Sequence, residues 1–238
     1  MKPTLVLLPG FDGTGRLFSP IHKELSDSVN TIVLSYPSNK VMTYSDLCHY
    51  LKDELPDLPY VILGESFGGP LAMMLSKYAD ENLKGIILCV SFVKNPQVFL
   101  SRLIRPFLKP KHLQKETPAW HIRAMLVNGV SDAKLIRNIQ TATAELTREV
   151  YFYRLREIAD MDVTNILQKC ELPILYLRAK NDRLVYESSM KLVEKIGKNV
   201  TVESFDAPHM LLQTQPEQAA QSIKQFLSLV VKQEETLS

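Results

Sequence analysis

A chain of 238 residues can bury a large core, and its 45% hydrophobic and 23% charged residues exclude wholesale disorder. A formal charge of +2 gives no reason to expect a nucleic-acid partner, and the three widely spaced cysteines (Cys48, Cys89, Cys170) make neither a metal cluster nor a disulfide framework. That cysteine usage suits a reducing compartment. The apolar run after Met1-Lys2-Pro3 is too short for a signal peptide and no stretch approaches a membrane span, so a cytoplasmic protein is expected.

Thr4 to Leu8 reads as a buried strand that runs into Pro9-Gly10-Phe11-Asp12-Gly13-Thr14-Gly15. A Gly-rich loop after a first strand can cradle a dinucleotide, but these glycines fall as G-x-x-G-x-G, the wrong order for that fingerprint. The next strand, about Thr31 to Leu34, also ends without an acidic residue for a ribose. The loop reads better as an oxyanion loop that turns the Phe11 backbone N–H toward a nucleophile. Between the two strands a helix is expected from roughly Leu17 to Ser26. After the second, Thr43 and Asp46 resemble a capping box ahead of Leu47, Leu51 and Leu55 at helical spacing.

The chain is organised around Gly64-Glu65-Ser66-Phe67-Gly68, with the strand-like Tyr60-Val61-Ile62-Leu63 before it and the helix-forming Pro70-Leu71-Ala72-Met73-Met74-Leu75 after it. Strand, Gly-x-Ser-x-Gly and helix make the context of a nucleophile elbow. Only small residues fit two before and two after the serine, which accounts for Gly64 and Gly68. The strained turn lifts Ser66 Oγ above the sheet edge, and the new helix aims the Phe67 N–H at the oxygen under attack.

Leu83 to Val90 follows as a strand too apolar on consecutive positions to be half exposed, as in a parallel sheet covered on both faces. Strands alternating with helical stretches define a doubly wound α/β fold with a mostly parallel sheet. From residue 92 to 162 the pattern gives only helical pieces, with Phe99, Leu103, Phe107 and Leu108 on one face and Trp120, Ala124 and Val127 on another. Leu135, Ile139 and Leu146 make a third face, and Tyr151, Leu155 and Ile158 the last. This is read as a helical cap inserted into a core of residues 1–91 and 163–238. With 12 basic and 7 acidic residues the cap carries +5, which leaves −3 for the rest. Strands resume at Leu172 to Leu177 and near Val200 to Phe205, and a closing helix begins around Pro216.

A serine nucleophile needs an oriented base. Of five histidines, His22, His49, His112 and His121 fall inside helical patterns, and His209 alone lies in a loop after the last strand. The acid belongs between Ser and His in chain order at another strand end, where Asp182 stands; Asp206, three residues from His209, is the competitor.

With Ser66, Asp182 and His209 placed, the chain resembles the α/β-hydrolase superfamily from Thr4 to about Val231. Pro9-Gly10-Phe11 stands where that family usually has His-Gly-x. The resemblance implies six parallel strands, and the late start of the chain implies that the usual antiparallel leading strands are lacking. The capped form is most similar to small carboxylesterases, among them the esterase that demethylates pimeloyl-acyl-carrier-protein methyl ester in biotin synthesis. The Leu-Pro-Gly-x-Asp-Gly-Thr-Gly loop and Glu-Ser-Phe also resemble plastid-type acyl ester synthases.

The expected function is a serine carboxylic ester hydrolase with an acyl-enzyme intermediate, needing no cofactor or metal. Thioester cleavage, carbon–carbon cleavage and acyl transfer to an alcohol stay open, as does, from another class, a catalytically silent ligand-binding module. Phe99, Phe107, Trp120, Met125 and Tyr151 line the substrate pocket or form ordinary cap core. Surplus charge at Arg102, Arg105, Lys109, Lys111, Lys115 and Arg123 is a solvated face or a docking face for an acidic partner, with acyl carrier protein the candidate.

Overall fold

The computed structural model describes residues 2–79, 81–96, 117–129 and 132–235. Six strands, β1 (Thr4–Leu8), β2 (Asn30–Val33), β3 (Tyr60–Glu65), β4 (Leu83–Cys89), β5 (Ile174–Ala179) and β6 (Val200–Phe205), form one sheet in the order β2-β1-β3-β4-β5-β6. Every neighbouring pair is parallel, as the resemblance implied.

Successive side chains on a strand point to opposite faces, so a strand buried on both faces reads as an unbroken apolar run. In β1, Val6 and Leu8 join one core while Leu5 and Leu7 join the other; β4 divides Ile86 and Leu88 from Ile87 and Cys89 in the same way. The first core is covered by helices α2 (Tyr44–Leu51) and α3 (Gly68–Leu75), the second by α1 (Ser19–Leu25) and the closing helix Pro216–Glu235, which pack on each other. The edge strands β2 and β6 are only half buried, which is why the weakest strand patterns lie there. Thr43 and Asp46 do form a complete capping box on α2, an arrangement typically worth about 1 kcal/mol.

Between β4 and β5 the described residues form helices: α4 (Ala119–His121), α5 (Ala133–Ala144), α6 (Arg148–Asp160) and α7 (Thr164–Lys169). The two ends of this stretch are zipped together. Asn95 N–H donates to Met161 O (2.9 Å), Val163 N–H to Val93 O (2.7 Å), and Lys94 Nζ pairs with the Asp162 carboxylate at 2.9 Å.

The expected face of Trp120, Ala124 and Val127 is not formed. From Ile122 to Leu126 the chain takes a π-helical turn, closed by Val127 N–H to Ile122 O at 3.1 Å, so residues five apart share a face. Ile122 and Val127 are buried with Leu135, Ile136, Ile139 and Met210, while Trp120 is turned out and 69% exposed. Phe99, Phe107, Arg102, Arg105, Lys109, Lys111 and Lys115 lie outside the described residues.

Candidate active site

Ser66 follows the central strand β3 with φ +49°, a left-handed conformation that strains any residue with a Cβ. The strain is held from several sides. Ser66 N–H donates to Cys89 O (2.9 Å), while Ser66 O accepts from Gly69 N–H (3.1 Å) and from Ser91 Oγ (2.6 Å). A Cβ on Gly64 would stand 2.4 Å from Gly68 O, and one on Gly68 2.4 Å from Leu8 O, so the turn closes only with glycine at both. Phe67 begins α3 as its N-cap. Its ring is fixed by stacking on Tyr44 (centroids 4.3 Å apart), and Tyr44 OH donates to Phe67 O at 3.0 Å.

His209 follows β6, and Asp182 follows β5. The two loops are joined by Asn181 N–H to Ala207 O (3.0 Å). His209 Nε2 lies 3.1 Å from Ser66 Oγ and Nδ1 lies 2.7 Å from Asp182 Oδ2. The other carboxylate oxygen of Asp182 accepts the N–H groups of Leu184 (2.8 Å) and Val185 (2.9 Å), which fix its plane. Asp206 is engaged elsewhere, by Asn181 Nδ2 at 2.7 Å. Burial alone would push the His209 pKa down; the Asp182 charge, the hydrogen bond to it and the Glu65 charge together outweigh burial and raise it above the usual histidine value.

The loop 9–15 lies against this serine. A Cβ on Gly10 would be 3.8 Å from both Ser66 Cβ and Glu65 O. The loop is pinned by Tyr36, whose OH donates to Pro9 O (2.5 Å) and whose N–H donates to Gly13 O (2.8 Å), and by Asp12 Oδ2, which accepts from Thr14 N–H at 2.8 Å.

Ser66 and His209 open on a cavity of about 370 Å³. Its wall is mainly apolar: Phe11 and Leu17 from the core side, Leu126, Ile139, Tyr151 and Ile158 from the helices between β4 and β5. The Tyr151 ring packs edge-on against Phe11 at 4.7 Å. Of the five residues named from sequence for a substrate pocket or cap core, Tyr151 is on this wall and Trp120 and Met125 are not; Phe99 and Phe107 lie outside the described residues.

Two buried charged groups near the site were not singled out from sequence. Glu65, inside the elbow motif, faces the cavity and accepts from Gln213 Nε2 at 3.0 Å; burial pushes its carboxyl up to about 7. Arg154 of α6 is 2% exposed and reaches the back of the loop 9–15. A signal for it existed, because position 154 shares a helical face with Tyr151 and Ile158. Among the described residues, no cluster of three or more His, Cys, Asp or Glu is placed to hold a metal ion.

Parallel sheet order, strained serine turn and loop after β1 together define an α/β-hydrolase architecture. Residues 5–222 match the alpha/beta hydrolase family, and the chain belongs to that family. Among curated proteins it is similar to phytyl ester synthase 1, chloroplastic, of Arabidopsis thaliana, at 35% identity over 105 residues, covering 40% of this chain and 15% of that protein. It is also similar to the biotin biosynthesis bifunctional protein BioHC of Cellvibrio japonicus (strain Ueda107), at 21% identity over 239 residues, covering 94% of this chain and 47% of that protein. The chain thus spans less than half the length of these curated relatives. Among solved structures, a thermophilic esterase from Thermogutta terrifontis shares the fold with a TM-score of 0.80 at 20% identity, over 97% of this chain and 90% of that one.

Proposed function

We propose that this protein is a serine hydrolase of carboxylic esters with an apolar acyl group, acting through an acyl-enzyme intermediate. The observation that carries the reading is the continuous hydrogen-bonded line Asp182–His209–Ser66 at the floor of an apolar cavity. His209 Nε2 accepts the Ser66 proton as Oγ attacks the ester carbonyl, and Asp182 holds the Nδ1–H tautomer. The Phe11 and Phe67 backbone N–H groups receive the oxyanion. His209 then gives its proton to the leaving alkoxide, and water activated by the same imidazole releases the acid.

In this reading residues 92–162 form the cap, closed at its base by the Lys94–Asp162 contact, and Tyr151 is its contribution to the acyl pocket. Three buried, unpaired cysteines support a reducing, cytoplasmic setting. No helix among the described residues is long and apolar enough to cross a membrane.

The test is Ser66→Ala, which fits the elbow and should leave the fold intact. Turnover of p-nitrophenyl esters is expected to fall by roughly four to six orders of magnitude. Hydrolysis near the wild-type rate would remove Ser66 from the chemistry.

A second reading, acyl transfer to an alcohol, is favoured by the similarity to a phytyl ester synthase. Partitioning of the acyl-enzyme between water and a long-chain alcohol separates the two. A carrier-bound acyl ester, with acyl carrier protein docking at Arg102, Arg105 and Lys111, draws support from the similarity to a biotin biosynthesis protein and from the basic balance of residues 92–162.

A further inference from the structure

We propose that Arg154 is a positioning residue for the oxyanion hole, clamping the loop 9–15 and the elbow helix to the pocket wall. The inference rests on the reading of Phe11 and Phe67 as the oxyanion donors. Arg154 lies on α6, 143 and 117 residues along the chain from its two hydrogen-bond partners, and its side chain is buried. Nη1 donates to Phe11 O at 2.6 Å and Nη2 to Pro37 O at 3.0 Å. The guanidinium carbon lies 5.4 Å from the centre of the Tyr36 ring and 5.7 Å from that of Phe67. One cation therefore contacts both residues whose backbone N–H groups form the hole, the first through its carbonyl and the second through its ring face.

The guanidinium shape explains why arginine stands here. Its planar fork spans two carbonyls at once, where the ammonium of lysine is a point donor. Gly13 is matched to it: a Cβ there would lie 2.7 Å from Nη1, and its φ of +72° already disfavours a side chain. α6 has a second anchor on the core, because Glu157 Oε2 accepts the Tyr44 N–H at 2.7 Å. Tyr44 in turn holds Phe67 O. The same helix presents Tyr151 and Ile158 to the cavity, so acyl pocket and oxyanion hole are built on one body.

An oxyanion donor acts only in the transition state, so loosening it lowers kcat and leaves KM nearly unchanged. In the full-length protein, Arg154→Ala and Arg154→Lys are compared by ester turnover and by amide hydrogen exchange of the loop 9–15. Expected are faster exchange in that loop and a kcat lower by about 10- to 100-fold with KM within about 3-fold. Added guanidinium, but not ammonium, should restore part of the kcat of Arg154→Ala. Should Arg154→Ala fail to fold, Arg154→Lys decides. A folded variant with wild-type kcat and loop exchange overturns the proposal, as does a loss confined to thermal stability. If turnover survives Ser66→Ala, the ester-hydrolase reading falls instead; loop exchange still decides whether Arg154 anchors the loop.

Discussion

Glu65→Gln is the perturbation whose size the structure sets most directly. Glu65 is 6% exposed, its Oε1 accepts from Gln213, and burial raises its carboxyl pKa from 4.5 to about 7. The folded protein therefore binds a proton at this site more tightly than the unfolded chain does. Stability contributed by the protonated form is full below about 4.5 and is lost as pH rises toward 7. At about 1.4 kcal/mol per pH unit, the interval from 4.5 to about 7 corresponds to roughly 3 kcal/mol. Glutamine keeps the carbonyl that Gln213 donates to and cannot ionise, so the variant escapes this loss. Urea unfolding at a series of pH values gives the stability of each protein, and groups untouched by the substitution cancel in the difference. The variant should gain on the wild type by roughly 3 kcal/mol between pH 4.5 and 8, the gain growing mostly below pH 7. Parallel stability curves would refute the reasoning. A kinetic companion follows from the Glu65 charge raising the His209 pKa. Removing that charge should move the acid limb of kcat/KM to lower pH, and an upward move would contradict the electrostatics.

Asp182→Asn should preserve the fold and lower kcat by about 10⁴ through the wrong His209 tautomer, whereas Asp206→Asn, at a carboxylate that accepts from Asn181 Nδ2, should change esterase activity less than about 3-fold. The reverse order would exchange their roles. Charge reversal at Arg102, Arg105 and Lys111 should raise KM for a carrier-bound ester about 10-fold at low salt, fade above about 0.1 M salt, and leave a small free ester unaffected. Equal effects on both substrates would return these residues to a solvated face.

What was legible in the sequence is what the backbone dictates locally. Two glycines flanking a serine after an apolar run can close only one way, and the close approaches in the structure, 2.4 Å for a Cβ on either glycine, show why. That the His209 and Asp182 side chains meet was legible because each follows a strand of a parallel sheet, at the edge where such loops converge. Trp120 was misplaced because the α-helical period was carried through residues that form a π turn, and nothing in Ile122-Arg123-Ala124-Met125-Leu126 announces that change. Arg154 shared a helical face with Tyr151 and Ile158, but its role was not legible from that. A charge on an otherwise apolar helix face reads as a solvated edge, and its partners are backbone carbonyls 143 and 117 residues away, groups that every residue carries.

The placement of Arg154 is energetically expensive, which bears on why it is there. Burial lowers its pKa, and its hydrogen-bond acceptors are neutral carbonyls rather than a carboxylate. Desolvating a cation is offset only in part by two carbonyl dipoles, the Asp12 charge and the faces of Tyr36 and Phe67. Removing the side chain alone takes the donor from the half-buried Phe11 O and Pro37 O, at up to about 1–3 kcal/mol each. A hydrophobic rebuild of the site could recover that stability without recovering the orientation of the Phe11 peptide. Stability and turnover are therefore separable at this position, and the guanidinium is explained by turnover: a hole for a developing negative charge gains from a fixed cation behind its donors, in a place that water does not reach.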